Sequence, residues 1–355
     1  MFKIHMLPAD HGDCLWVEYG TAAKPKRILI DAGTPGTYPR ALKPKIEETI
    51  AREGNCRFEL FVVTHIDADH IGGALQFLGE IDPTRVTIGE IWFNGYFHLS
   101  NESPALLGAD QAERLTALIQ DGGWKWNTRF KRRAVMVPDT GALPQFTVAG
   151  MKLTLLSPTF DKLQKLKPKW EAEIRKAGLV PGEAYEVPKA EEGGGFLGGD
   201  VEDWAAAAFK EDKAEANGAS IAFIAEYEGK RVLFGADAHP SVLVASLGRK
   251  PLAATSLALA AFKLPHHASK NNVSTDVIAA FPAEHYLIST SGAQFKHPDE
   301  EAVARVLVTK TDHTKQLHFN YDSDFNEEWK SKSHKTKWDY EANYGNTSDG
   351  LIVEP

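Results

Sequence analysis

A chain of 355 residues, 43% of them hydrophobic, can bury a large core, which excludes disorder as a whole and admits one large α/β unit or two smaller ones. A net charge of −8 argues against a broad electrostatic grip on duplex nucleic acid, since such affinity comes mostly from neutralised phosphates. Two cysteines, Cys14 and Cys56, exclude a framework of bridges and a thiolate metal cage and fit a reducing compartment.

The N-terminus shows no basic region followed by an apolar stretch, and no window approaches the roughly 20 apolar residues that cross a bilayer. A soluble, cytoplasmic protein without a membrane partner is expected.

In chain order, Trp16 to Tyr19, Arg27 to Ile30 and Leu60 to Val63 read as strands, with an amphipathic helix from Pro44 to Glu53 between the second and third. A helix start at Ala74 to Leu78, a strand over Ile88 to Phe93 and a helix over Pro104 to Asp121 follow. A second half begins near Met151 to Leu156 and continues through strands at Ser220 to Tyr227, Arg231 to Phe234 and Tyr286 to Ser289. Glu228-Gly229-Lys230 is a hairpin signal. Between the halves, residues 158–216 read as an insertion, with a charged helix over about 161–177 and a glycine-rich centre at 191–199 that suits a lid. Toward the C-terminus, Lys330 to Lys337 reads as a solvated loop and Gly350 to Val353 as an edge strand.

The chemistry concentrates in Thr64-His65-Ile66-Asp67-Ala68-Asp69-His70-Ile71-Gly72-Gly73, directly after an apolar strand. Four imidazole or carboxylate groups in six positions repel or compete unless a cation unites them, and they suit zinc or manganese. The alternative is that Asp67 and Asp69 cap the following helix. Asp237, in Gly235-Ala236-Asp237, ends another apolar strand, where it either bridges two metals or caps the helix from Pro240. His266 and His267 end a third strand; one suits a ligand, the other a supporting or proton-delivering role. His297 follows a fourth and is a candidate for substrate contact.

These segments, with His11-Gly12-Asp13-Cys14, Ile30-Asp31-Ala32-Gly33, Asn217-Gly218-Ala219-Ser220, Leu264 to Ser269 and Lys296-His297-Pro298, resemble the metallo-β-lactamase superfamily and, within it, the branch like the hydrolase domain of the competence protein ComEC. The resemblance implies an α/β fold, an αββα sandwich of two mixed sheets covered by outer helices, spanning 1–355 as one domain. It implies two divalent ions: His65, Asp67 and Asp237 on one, and Asp69, His70, Asp237 and His266 or His267 on the other. Asp67 stands where the common pattern has His. Asn217 or Ser220 stands in the place of a further missing His.

Carboxylates in place of imidazoles make the site harder, so manganese or magnesium competes better with zinc. The reading that follows is phosphodiester hydrolysis of a nucleic acid or cyclic nucleotide. Asp69 orients water, and His267 and His297 protonate the leaving group. Lys263, Lys296 and Ser269 hold phosphate oxygens, with Asn217 and Ser220 also on the substrate side. Hydrolysis of an ester, lactone or amide is the rival chemistry, with Phe93, Tyr96, Phe97, Trp124 and Trp126 lining an apolar pocket. An inactive binding or effector-partner module that has kept the fold is the rival from another class.

Overall fold

Leu60 to Val63 is apolar at every position because the strand it builds is covered on both faces. Leu60 and Val62 join one buried cluster while Phe61 and Val63 join another, as the two-residue period of a strand requires. The computed structural model describes residues 1–99, 114–176 and 199–355.

The first sheet contains β1 (Phe2–Met6), β2 (Leu15–Thr21), β3 (Lys24–Ile30), β5 (Leu60–Val62) and β7 (Ile91–Trp92). Two short strands, β4 (Cys56–Phe58) and β6 (Val86–Ile88), pair separately beside it. The second sheet contains β8 (Gln145–Val148), β9 (Met151–Ser157), β10 (Ala222–Tyr227), β11 (Lys230–Phe234), β12 (Leu259–Lys263), β13 (Ala283–Ile288), β14 (Lys315–Phe319) and β15 (Tyr340–Tyr344). A last strand, β16 (Leu351–Val353), returns to the first sheet beside β1, giving the order β16-β1-β2-β3-β5-β7. The second sheet runs β15-β14-β13-β12-β11-β10-β9-β8. In each sheet one end is antiparallel and the other parallel.

One core lies between the sheets, where Ile4, Val17, Ile28 and Val62 meet Leu153, Phe223 and Ala225. Helices Lys43–Glu53 and Ala68–Glu80 cover the outer face of the first sheet, packing Ile46, Ile71 and Phe77 on Trp16 and Phe61. Helices Pro240–Leu247, Thr275–Ala280 and Glu300–Val308 add Leu243, Ile278 and Val303 to the core of the second sheet. This is the expected αββα layering.

Glu228 and Gly229 take φ of 49° and 80°, the left-handed pair of a type I′ turn, which closes the predicted hairpin between β10 and β11. Elsewhere the structure departs from the sequence reading. The strand expected over Ile88 to Phe93 is two pieces in two sheets. Pro168 divides the charged helix expected over 161–177 into Phe160–Leu166 and Trp170–Lys176, joined by a 3₁₀ turn. Leu163, Leu166 and Trp170 are buried with Ala216 and Ala219, so the described ends of the 158–216 insertion are part of the outer core. Its centre from Glu191 to Gly198 lies outside the described residues, as does the expected helix before Arg114. Lys330 to Lys337 is not a loop: Ser331 caps a helix over Lys332–Trp338, accepting from the His334 N–H. Among the described residues no helix is long and apolar enough to cross a membrane.

Candidate metal centre

β5 and β11 to β13 all belong to parallel pairings, so the loops leaving their C-terminal ends gather at sheet edges, where open α/β sheets place their chemistry. His65 follows β5, and Asp69 and His70 occupy the first turn of the helix Ala68–Glu80. Asp237 follows β11, and His266 and His267 follow β12.

Four imidazoles are oriented by what their Nδ1 atoms touch. The Thr64 hydroxyl donates to Asp31 Oδ2 at 2.8 Å, so it accepts from His65 Nδ1 at 3.0 Å. His70 Nδ1 donates to the same Asp31 oxygen at 2.9 Å. His266 Nδ1 donates to Asn272 Oδ1 at 3.0 Å, and His267 Nδ1 to the Ser289 carbonyl at 2.7 Å. With Nδ1 so tied, a neutral ring carries its lone pair on Nε2, and all four Nε2 atoms point inward.

Asp237 receives them. Its Oδ2 lies 3.7 Å from His65 Nε2 and 3.8 Å from His266 Nε2, and its Oδ1 3.4 Å from His70 Nε2. Asp69 Oδ2 lies 3.3 Å from His267 Nε2 and 3.9 Å from His70 Nε2, while Asp67 Oδ2 is 3.6 Å from His65 Nε2. His70 and His267 set their Nε2 atoms 3.3 Å apart. His65 Nε2 and Asp237 Oδ1 are buried without a hydrogen-bond partner. Nδ1 tied to an acceptor and Nε2 free beside carboxylates is the donor set a divalent cation needs, so the residues fit such an ion.

Electrostatics agree. Burial favours neutral rings, yet Asp237, Asp69 and Asp31 push the His70 pKa well up, and Asp237 and Asp212 raise His266 to about 9. Burial likewise favours neutral carboxyls, and His70 outweighs it to hold Asp69 and Asp237 well below the usual range. Protons on imidazole here do part of what a cation would do.

The neighbouring histidines separate. His266 (φ 48°), His267 (φ 53°) and Ala268 (φ 64°) are consecutive left-handed residues, a conformation costing about 1–2 kcal/mol each for residues with a Cβ. The strain aims the rings apart, at 73° to each other. His65 and His266 face Asp237 Oδ2, while His70 lies between Asp237 Oδ1 and Asp69 Oδ2, which His267 also faces. Two closely set groups are His65, His70 and Asp237, and Asp69, His70 and His267.

Several sequence assignments change. Lys263 is fully buried, with Nζ 2.8 Å from Asp13 Oδ2, so it has no surface on which to meet a phosphate. Ser269 is buried, and its hydroxyl accepts from the Asn271 N–H. His267, with Nδ1 on a carbonyl and Nε2 facing Asp69, is arranged as a ligand and not as a proton donor. Asn217 Nδ2 donates to Asp212 Oδ2 at 2.7 Å and lies 3.3 Å from His266 Nδ1, which places it behind the histidine. Ser220 is buried. His297 sits at the rim, its ring 5.4 Å from His266 and Nδ1 3.4 Å from Asp299 Oδ2; burial holds its pKa down against Asp299. Lys296 beside it is half-buried. Neither capping alternative holds: Asp67 makes no side-chain cap bond, and the cap before Pro240 is His239. In the basic and aromatic stretch 124–133, Arg129 pairs with Glu90 and Trp126 donates to the Phe93 carbonyl.

Asp31, Asp212 and Asn272 were not singled out as site residues, and neither was His11. The Asp212 carboxyl accepts from Asn217 and Asn272 and is held low by His266 and these amides, although burial opposes this. His11 is half-buried edge-on to Phe295, close enough to Asp69 and His267 to feel their charge. Only Asp31 and His11 had a sequence signal, as members of short motifs after or before strands. Replacing Asp31 by Asn should weaken metal binding about 10- to 100-fold, because His65 and His70 both lose their orientation. Competition with a chromophoric chelator measures this, and unaltered affinity would remove Asp31 from the site.

The model of the metallo-beta-lactamase superfamily matches residues 8–292, and the chain belongs to that superfamily. Most of its members are metal-dependent hydrolases. Among solved structures, the chain is similar to Zn(2+)-bound PqqB from Methylobacterium extorquens, at 12% identity and TM-score 0.42 over 100% of both chains. It is also similar to a diphosphatase from the PhnP family, at 10% identity and TM-score 0.37 over 99% of this chain and 97% of the other. No curated protein matches the sequence.

Proposed function

We propose that the protein is a hydrolase of phosphodiesters, in a nucleic acid or cyclic nucleotide, that works in the cytoplasm with two divalent ions. The observation that carries this reading is the convergence of four Nε2 atoms on Asp237 and Asp69, those of His70 and His267 3.3 Å apart. His65, Asp67 and His266 would hold one ion, Asp69, His70 and His267 the other, and Asp237 both. Such a pair supplies Lewis acidity and lowers the pKa of water.

The chain's own groups do the rest. Asp69 accepts a hydrogen bond from the attacking water, which fixes its lone pair toward phosphorus. His297 passes a proton to the leaving oxygen from its charged ring, a state that burial opposes and Asp299 behind its Nδ1 favours. Lys296 at the rim offers an ammonium to a phosphate oxygen. Carboxylate-rich sites suit substrates whose oxygens complete the shell, which supports manganese or magnesium beside zinc. Asp67 and the Leu264 to Ser269 segment support placing the chain in the ComEC-like branch.

The test is a substrate panel of DNA, RNA, cyclic dinucleotides, a simple aryl phosphodiester, an aryl ester and a lactone, each with manganese, magnesium and zinc. Phosphodiester turnover that depends on added metal and stops on chelation is expected. Cleavage of the ester or lactone alone would overturn the substrate class. A protein that takes up no metal at all would overturn the mechanism.

A further inference from the structure

We propose that the buried ion pair Asp13–Lys263 is a positioning device that holds Asp69 and His267 in register across the two sheets, and thereby sets the affinity of one metal position and not the other. The proposal rests on the two-ion reading above.

Lys263 is the last residue of β12 in the second sheet, fully buried, with its ammonium 2.8 Å from Asp13 Oδ2 and donating to the Leu264 carbonyl at 3.2 Å. Asp13 lies between β1 and β2 of the first sheet. Its N–H donates to the Asp69 carbonyl at 3.2 Å. Gly12 presses on the same place: a Cβ there would stand 1.8 Å from the Asp69 oxygen, so only glycine allows the approach. On its other side, the Gly12 carbonyl accepts from the Ser289 hydroxyl at 3.0 Å, and the Ser289 carbonyl is the group that orients His267. Asp13 Oδ1 itself is 3.6 Å from His267 Nδ1.

One short loop therefore touches the backbone of Asp69 and the seat of His267, and Lys263 ties that loop to the opposite sheet. A buried ion pair is weak evidence for stability, since desolvation consumes most of its attraction. What this one maintains is the spacing of two ligands that come from different sheets. His65 is oriented through Thr64, with Asp31 behind it, and His266 through Asn272. Both members of the pair are positioning residues, because neither reaches the substrate.

The test is titration of manganese or zinc, against a competing chelator, into metal-free wild type, Lys263→Met, and the double variant Asp13→Asn with Lys263→Met. The double variant leaves no lone buried charge, and circular dichroism confirms that it folds. Wild type should take up two ions. Both variants should keep the first affinity and lose about 10- to 100-fold in the second, the usual effect of removing an outer-shell partner. A merely structural role would lower thermal stability and leave the difference between the two affinities unchanged; that result would overturn the proposal, as would two unaltered affinities in a folded double variant. Wild type that binds fewer than two ions would overturn the two-ion reading and this inference with it.

Discussion

Asp237→Asn should lower phosphodiester turnover by about three orders of magnitude or more and abolish tight uptake of at least one ion. Asp237 faces three of the four imidazoles, with Oδ2 near His65 and His266 and Oδ1 near His70. An amide keeps the shape and one acceptor oxygen but removes the charge that draws both ions in. Lewis-acid stabilisation of a transition state amounts to several kcal/mol, and each 1.36 kcal/mol is about tenfold in rate, so losing one ion accounts for the size of the effect. Elemental analysis and steady-state rates on the same preparation separate lost metal from lost chemistry. Full metal content with full turnover would remove Asp237 from the mechanism.

Acid should destabilise the protein already between pH 7 and 5, because two histidines away from the site are buried neutral. Burial pulls His98 down to about 3, against a hydrogen bond to the Arg132 carbonyl. Burial and neighbouring His285 pull His318 to about 3; His285 Nδ1 lies 2.9 Å from His318 Nε2. In the unfolded chain both titrate near 6.5. Between these limits the unfolded state binds more protons, so the stability from each neutral ring is present above about pH 6.5 and lost as pH falls toward 3. Each pH unit costs about 1.4 kcal/mol per ring, so the two together lose roughly 4 kcal/mol by pH 5, a large part of a typical 5–15 kcal/mol.

In metal-free protein His266, raised to about 9, works in the opposite sense: its share is full below about pH 6.5 and fades as pH rises through 9. Comparing urea midpoints at pH 7 and 5 for wild type and for His98→Gln with His318→Gln isolates the acid effect. The double variant should lose much of the pH dependence. Equal midpoints for wild type at the two pH values would contradict the account.

Much of the site was legible in linear sequence because its ligands follow strands, and strands announce themselves by apolar runs. The decapeptide after Val63 and the acids and imidazoles at 237, 266 and 267 could be marked for that reason. What each does was less legible. Lys263 reads as an exposed phosphate contact until the first sheet brings Asp13 against it. Ser269, Asn217 and Ser220 read as substrate contacts until folding buries all three, Asn217 against His266. Asp212 sits in a polar stretch with no pattern, and only its meeting with Asn217, His266 and Asn272 gives it a role.

The amino-acid order by itself determined the layered α/β class, the hairpin at Gly229 and the density of metal-ligating groups at strand ends, since each depends on neighbours within a few residues. Tertiary structure alone decided which carboxylate meets which ring, that the rings of His266 and His267 turn apart, and that Lys263 turns inward. Those outcomes depend on contacts between segments as far apart as Asp13 and Lys263, where sequence spacing carries no distance and two sheets must pack before an ion pair exists.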